Sequence, residues 1–158
     1  MTFLKNGDAF PNLTMQMVGG GTMTLPGDLA GSFGVVLLYR GSWCPYCKAQ
    51  LAAFSRAQES LAAIDVKVVA LSVDDEPTSA AFTQSLGAQF PIGHSADVDR
   101  IAAMTGAYTN DNPKYFQTTG FILDPAGKVI TAVYSSGAIG RLLPDDVAGF
   151  IRYVRSHQ

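Results

Sequence analysis

Residues 34–40, Gly-Val-Val-Leu-Leu-Tyr-Arg, run apolar and β-branched up to a closing arginine, and at Cys44 the pattern switches to helical spacing. A run this apolar, without alternation, is expected of a strand covered on both faces, at the centre of a sheet. From Cys44 onward, Cys47, Leu51, Phe54 and Leu61 recur on one helical face with alanines in the narrow gaps. At about 1.5 Å per residue, such a helix carries the chain back across the sheet to Asp65. Val66–Val73 then reads as a second buried strand. Strand, crossover helix and strand in this order make a parallel βαβ unit with a right-handed connection, so the chain is α/β.

The flanking segments extend this unit. Leu13, Met15 and Met17 alternate with polar residues, three glycines follow, and Thr22–Leu25 resumes, which predicts an N-terminal β-hairpin. Asp75 offers a helix N-cap with Pro77 two residues on, and Gly87 a C-cap, bracketing a helix over 77–86. A further helix is expected from Ala96 to Thr105, ending at Gly106. Tyr108–Gln117 is polar and reads as a loop. GFILD and KVITAVY, joined by Pro125-Ala126-Gly127, read as a second hairpin, and a last helix begins at Pro144 with acids in its first turn and arginines in its last. No repeat or linker divides the 158 residues. They are expected to form one domain, which at this size buries roughly 70% of the surface of its unfolded chain.

Charge narrows the function classes. Eleven basic residues are scattered among thirteen acids for a net charge of −2, so nothing is basic enough to track a nucleic-acid backbone. The longest apolar run, Val35–Tyr39, is far below the ~20 residues of a membrane span. Lys5, Asn6, Gly7 and Asp8 interrupt the N-terminus before any signal-peptide stretch can form. A cytoplasmic, soluble protein is the expectation. Thiols are kept reduced there, which favours a cycling or metal-bound cysteine pair over a static disulfide.

The only two cysteines lie in Trp43-Cys44-Pro45-Tyr46-Cys47. The strand-to-helix junction falls at the sheet's carboxyl edge, where α/β proteins place ligands. With Cys44 as N-cap, Pro45 takes the first helical position, where its missing N–H costs nothing. Backbone donors and the positive helix end then face the Cys44 sulfur and favour its thiolate. Cys47 shares the helix face one turn on, within reach for a disulfide. Trp43 would shield one side of the site and Tyr46 would project from the turn. The pair admits three readings: two buried core residues, a metal clip, or a redox couple. Zinc needs four ligands and only His94 and His157 remain as soft partners, so the redox couple is preferred and neither metal nor cofactor is implied. His94 reads as a loop or cap residue. Asp74, Asp75 and Glu76 read as a helix start, and Gly19–Gly21 as a hairpin turn rather than a phosphate loop.

WCPYCK resembles the active-site motif of the thioredoxin fold, and CPYC is similar to the pair in glutaredoxins. GDAFPNLTM, TLPGDLAG, VVLLYRGSWCPYC and GFILDPAGKVI together resemble the alkyl hydroperoxide reductase / thiol-specific antioxidant superfamily of peroxiredoxin-like redoxins over nearly the whole chain. The resemblance implies a thioredoxin-like fold: a central mixed sheet flanked by helices, here with an N-terminal hairpin extension. It implies Cys44 and Cys47 as catalytic residues. It also implies Trp43, Pro45, Tyr46, Thr118, Thr119 and Gly137 as substrate-binding, the last from the small-residue loop Ser135–Gly140 that would lie beside the disulfide.

The sequence departs from the family pattern in several places. The peroxiredoxin Pro-x-x-x-Thr/Ser-x-x-Cys motif fits neither cysteine: Arg40 and Cys44, or Leu37 and Gly41, stand at the Pro and Thr/Ser positions. No arginine lies between Arg100 and Arg141, so Gln117, Thr118 and Thr119 occupy the place of the family arginine. Thr118 or Thr119 also replaces the thioredoxin cis-proline, and Leu38 its buried acid. The expected function is thiol-disulfide exchange on a protein or small-molecule disulfide, with a thiol reductant closing the cycle. Two alternatives stand beside it: thiol-dependent reduction of a hydroperoxide, and a non-catalytic, redox-responsive binding module.

Overall fold

In the computed structural model, which describes residues 2–158, the alternation at Leu13–Met17 becomes strand β1, with Leu13, Met15 and Met17 buried and Thr14 and Gln16 outward. It pairs antiparallel with β2 (Thr22–Leu25), Thr14 opposite Thr24 with their hydroxyls 2.9 Å apart. The turn between them needs positive φ at Gly19, Gly20 and Gly21 in succession, a backbone that residues with a Cβ rarely adopt.

β3 (Phe33–Leu38) is buried at every position and runs parallel to β4 (Val66–Leu71). α1 (Pro45–Ala63) makes the crossover between them. α2 (Glu76–Leu86) follows, capped by the Asp75 carboxylate on the Thr78 N–H at its start and by Gly87 at φ 64° at its end. β5 (Ile92–His94), α3 (Val98–Thr105), β8 (Thr119–Leu123), β9 (Val129–Tyr134) and α4 (Pro144–Ser156) complete the main body. A separate two-stranded ribbon, β6 (Thr109–Asp111) with β7 (Lys114–Phe116), precedes β8. The main sheet is seven-stranded and mixed, in the order β2-β1-β5-β4-β3-β8-β9.

Period-two alternation along β3 divides the core. Val35 and Leu37 point to one face, against Leu51 and Phe54 of α1, Phe82 of α2, and Val147 and Ile151 of α4. Val36 and Leu38 point to the other, against Phe10, Phe121 and the α3 residues Val98 and Ile101. Helices therefore cover both faces, which is why β3 and β4 carry unbroken apolar runs.

Three sequence expectations need correction. β3 is interior, but the middle strand is β4. β5 was not expected, because three residues are too few to show a period. It is held between β1 and β4, and a Cβ at Gly93 would come 2.7 Å from Leu71 Cδ1. His94 accordingly lies on a strand, not in a loop. The polar segment 108–117 is the β6–β7 ribbon rather than a loop. Its two strands pair with each other and not with the main sheet, so burial left no alternation in its sequence. No helix among the described residues is long and apolar enough to cross a membrane.

Candidate thiol site

The chain leaves β3 through Tyr39 and Arg40 and turns at Gly41-Ser42-Trp43 into α1. The Cys44 N–H donates to the Gly41 carbonyl at 3.2 Å, and the Ser42 N–H to Asp74 Oδ2 at 2.8 Å. Asp74 thus ties the approach loop to the neighbouring strand's carboxyl end, a role beyond the helix start read from the sequence. Cys44 is the N-cap in an extended conformation, φ −83° and ψ 118°, with Pro45 following in the first turn. The Cys47 N–H donates to Cys44 Sγ at 3.3 Å.

Two guanidinium groups face the sulfurs. Arg40 Nη1 lies 3.6 Å from Cys44 Sγ, its Nη2 donates to the Tyr115 hydroxyl at 3.1 Å, and its Nε donates to Gln117 Oε1 at 3.1 Å. The Arg40 guanidinium also sits 5.0 Å from the Trp43 ring centre and 5.2 Å from that of Tyr115, and the two rings pack edge to face. Trp43, 51% exposed, thus adjoins the site through its contact with Arg40. Arg141, in the loop after β9, donates from Nε to the Ala138 carbonyl and from Nη1 to Gln50 Oε1 at 2.6 Å. Its Nη2 lies 3.2 Å from Cys47 Sγ and 3.8 Å from Cys44 Sγ. Gln50 is buried on α1, and its amide donates to the Leu142 carbonyl at 3.0 Å.

The sulfurs differ in acidity. Burial opposes ionisation of Cys44, but the thiol and backbone N–H of Cys47, then Arg40 and Arg141, outweigh it, and the Cys44 pKa falls below that of an ordinary thiol. Cys47 goes the other way: burial and its bond to Cys44 raise its pKa, and Arg141 offsets only part of this. Tyr39, at the end of β3, has its hydroxyl beside Ser72 and Ser79 without a well-formed hydrogen bond. Burial above all, with Asp74 and Cys47 nearby, pushes its pKa up to about 12, so it stays protonated. The site thus sets a more acidic thiol beside a less acidic one, with two guanidinium groups against them.

Both cysteines are fully covered, at 0% exposure, so neither sulfur meets solvent directly. Both belong to the apolar cluster under α1, and the polar side chains against their sulfurs are two part-exposed arginines. Around the rim, Tyr46 is 53% exposed and Pro45 is exposed. Thr118 and Thr119 are buried. The Thr118 N–H donates to the Gly137 carbonyl and its own carbonyl accepts from the Ser135 N–H, so its backbone is already engaged. Thr119 is paired within β8 to Leu38 and Tyr134. A Cβ at Gly137 would meet nothing within 4 Å, which leaves open space over that loop. Among the described residues no cluster of three or more His, Cys, Asp or Glu is placed to hold a metal. His94 bonds to Ser95 and lies 3.3 Å from Glu76, with no contact to either sulfur.

Sequence reasoning found the cysteines and their cap but missed Arg141, Gln50 and Tyr115. Their polar character was visible, but no spacing linked them to Cys44.

Comparison with known proteins agrees with this architecture. The model of the AhpC/TSA family matches residues 6–132, a span that ends before Arg141. A peroxiredoxin of Chlorobaculum tepidum is 31% identical over 141 residues, covering 85% of this chain and 65% of that protein. The thiol-disulfide oxidoreductase ResA of Bacillus subtilis is 29% identical over 131 residues, covering 82% of this chain and 68% of that protein. The chain thus spans about two thirds of the length of these relatives. Among solved structures, Mycobacterium bovis AhpC superposes with a TM-score of 0.84 at 20% identity, covering 100% of this chain and 96% of that one. With the family model matching most of its length and the same thioredoxin-like sheet underneath, the chain belongs to the AhpC/TSA family.

Proposed function

We propose that the protein is a thiol-disulfide oxidoreductase in which Cys44 is the nucleophile and Cys47 the resolving thiol. The observation that carries this reading is the pairing of a depressed Cys44 thiol, held at a helix N-terminus between Arg40 and Arg141, with a second thiol one turn away. The Cys44 thiolate attacks one sulfur of a disulfide, forming a mixed disulfide and expelling the other half as a thiolate. Cys47, on losing its proton, attacks the Cys44 sulfur, closes the Cys44–Cys47 disulfide and releases the second half. An external thiol, oxidised in turn, restores the dithiol. A pair that cycles through the dithiol suits a reducing compartment such as the cytoplasm.

Relatives named peroxiredoxin support a second reading. Here the Cys44 thiolate attacks a hydroperoxide, leaving Cys44 sulfenic acid and an alcohol. Cys47 then condenses with the sulfenic acid, releasing water. The same two sulfurs serve both reactions.

The reduced protein is tested for insulin reduction and for hydroperoxide consumption, each with Cys44→Ser and Cys47→Ser. Turnover of insulin with little peroxide consumption, abolished in Cys44→Ser, is the expected result. Rapid peroxide consumption lost in both variants favours the second reading, and failure of mild oxidant to join the two sulfurs overturns both.

A further inference from the structure

The geometry points to Arg141 as a catalytic residue that stabilises the two cysteines in turn: the Cys44 thiolate before the first attack, and the Cys47 thiolate during resolution, with Gln50 as the residue that positions it. This assignment rests on the dithiol reading above.

The two arginines are not equivalent. The Arg40 guanidinium contacts only the Cys44 sulfur, whereas the Nη2 of Arg141 lies within 4 Å of both sulfurs and closer to Cys47. The rest of the Arg141 fork is fixed. Nε is held by the Ala138 carbonyl and Nη1 by Gln50 Oε1, and Gln50 is itself buried and anchored to the Leu142 carbonyl. A guanidinium bound at two corners presents its third nitrogen in a set direction. Its charge is also uncommitted. The ion pairs among the described residues join His94 to Glu76 and Lys114 to Asp99 and Asp111, and none involves Arg141.

Resolution poses a problem that this placement answers. Cys47 must lose a proton, and the groups facing it are Cys44, Arg141, the Arg40 backbone, and the protonated Tyr39 with Asp74 beyond it. Of these, Arg141 is the cation whose side chain touches the sulfur. While Cys44 is a thiolate it repels a second negative charge and holds the Cys47 proton. Once Cys44 is in the mixed disulfide, its negative charge has left with the expelled thiolate. Arg141 then has one sulfur left to compensate. The Cys47 proton passes to water, and Cys47 attacks as the thiolate without a buried carboxylate to assist it.

The test is a single turnover of the reduced, full-length protein with dithiodipyridine, a disulfide without charge, so that attraction of the reagent by arginine plays no part. Cys44 attack releases the first thiopyridone in a reagent-dependent phase, and resolution releases the second in a phase independent of reagent. Arg141→Met is expected to slow the second phase about tenfold or more and move its pH midpoint upward, with a smaller effect on the first. Arg40→Met is expected to slow only the first. Gln50→Glu retains the bond to Arg141 but adds a competing carboxylate and loses the amide donor to the Leu142 carbonyl, and is expected to slow the second phase more than the first, with urea unfolding measured alongside to read the cost of the lost anchor. Equal slowing of both phases in Arg141→Met, or an unchanged second phase in Arg141→Met and Gln50→Glu alike, overturns the assignment. Release of only one equivalent by the wild-type protein instead overturns the dithiol reading, and this assignment with it.

Discussion

Arg40 and Cys44 are four residues apart, and the arginine's Nη1 lies 3.6 Å from the cysteine's sulfur while its other nitrogens are held by Tyr115 and Gln117. The contact spans the strand-to-helix turn, so the residue that closes β3 also charges the site that opens α1.

Cys44 should therefore react with iodoacetamide with a pH midpoint below that of an ordinary thiol, and Arg40→Met should raise that midpoint. The linkage to stability has a definite sign. A thiol whose folded pKa is depressed adds stability above its unfolded pKa and loses it as pH falls through the folded value. Urea midpoints of Cys47→Ser, which removes the opposing titration, should rise with pH across the window between those two values. A flat profile would contradict the depressed thiol.

Asp74→Ala should loosen the turn before Cys44, because the Ser42 N–H loses its acceptor at 2.8 Å. A cost of about 1–2 kcal/mol in urea unfolding is expected, with Asp74→Asn milder because an amide oxygen still accepts. Slower Cys44 alkylation should accompany the loss.

Gly41→Ala should displace Trp43, since a Cβ at Gly41 would stand 2.2 Å from the indole Nε1. The ring would leave Tyr115 and Arg40. Trp43 is the single tryptophan, so a change in emission maximum reports the movement, and slower thiol reaction should follow.

Tyr39→Phe should leave the pH profile of thiol alkylation where it is, because the phenol, pushed up to about 12, stays protonated throughout the thiol range. The hydroxyl lacks a well-formed partner, so stability should change by less than about 1 kcal/mol. A shifted profile would mean that Tyr39 exchanges a proton with Cys47.

The sequence by itself determined the βαβ unit, the hairpins that begin and precede the end of the sheet, and Cys44 as a helix cap with Cys47 one turn on. These follow from local periods, caps and turn residues, which act over a few positions and leave their mark in adjacent letters. Only the tertiary structure decided what surrounds the sulfurs. Arg141 reaches Cys44 across 97 positions, and Arg40 meets Gln117 across 77 and Tyr115 across 75. Arg141 sits in an irregular loop and Tyr115 in a ribbon outside the main sheet, where burial imposes no period. Gln50 looked like one more polar residue on a helix. Contacts made by single long side chains across the sheet's carboxyl edge depend on where the chain returns in space, and no local pattern encodes that return.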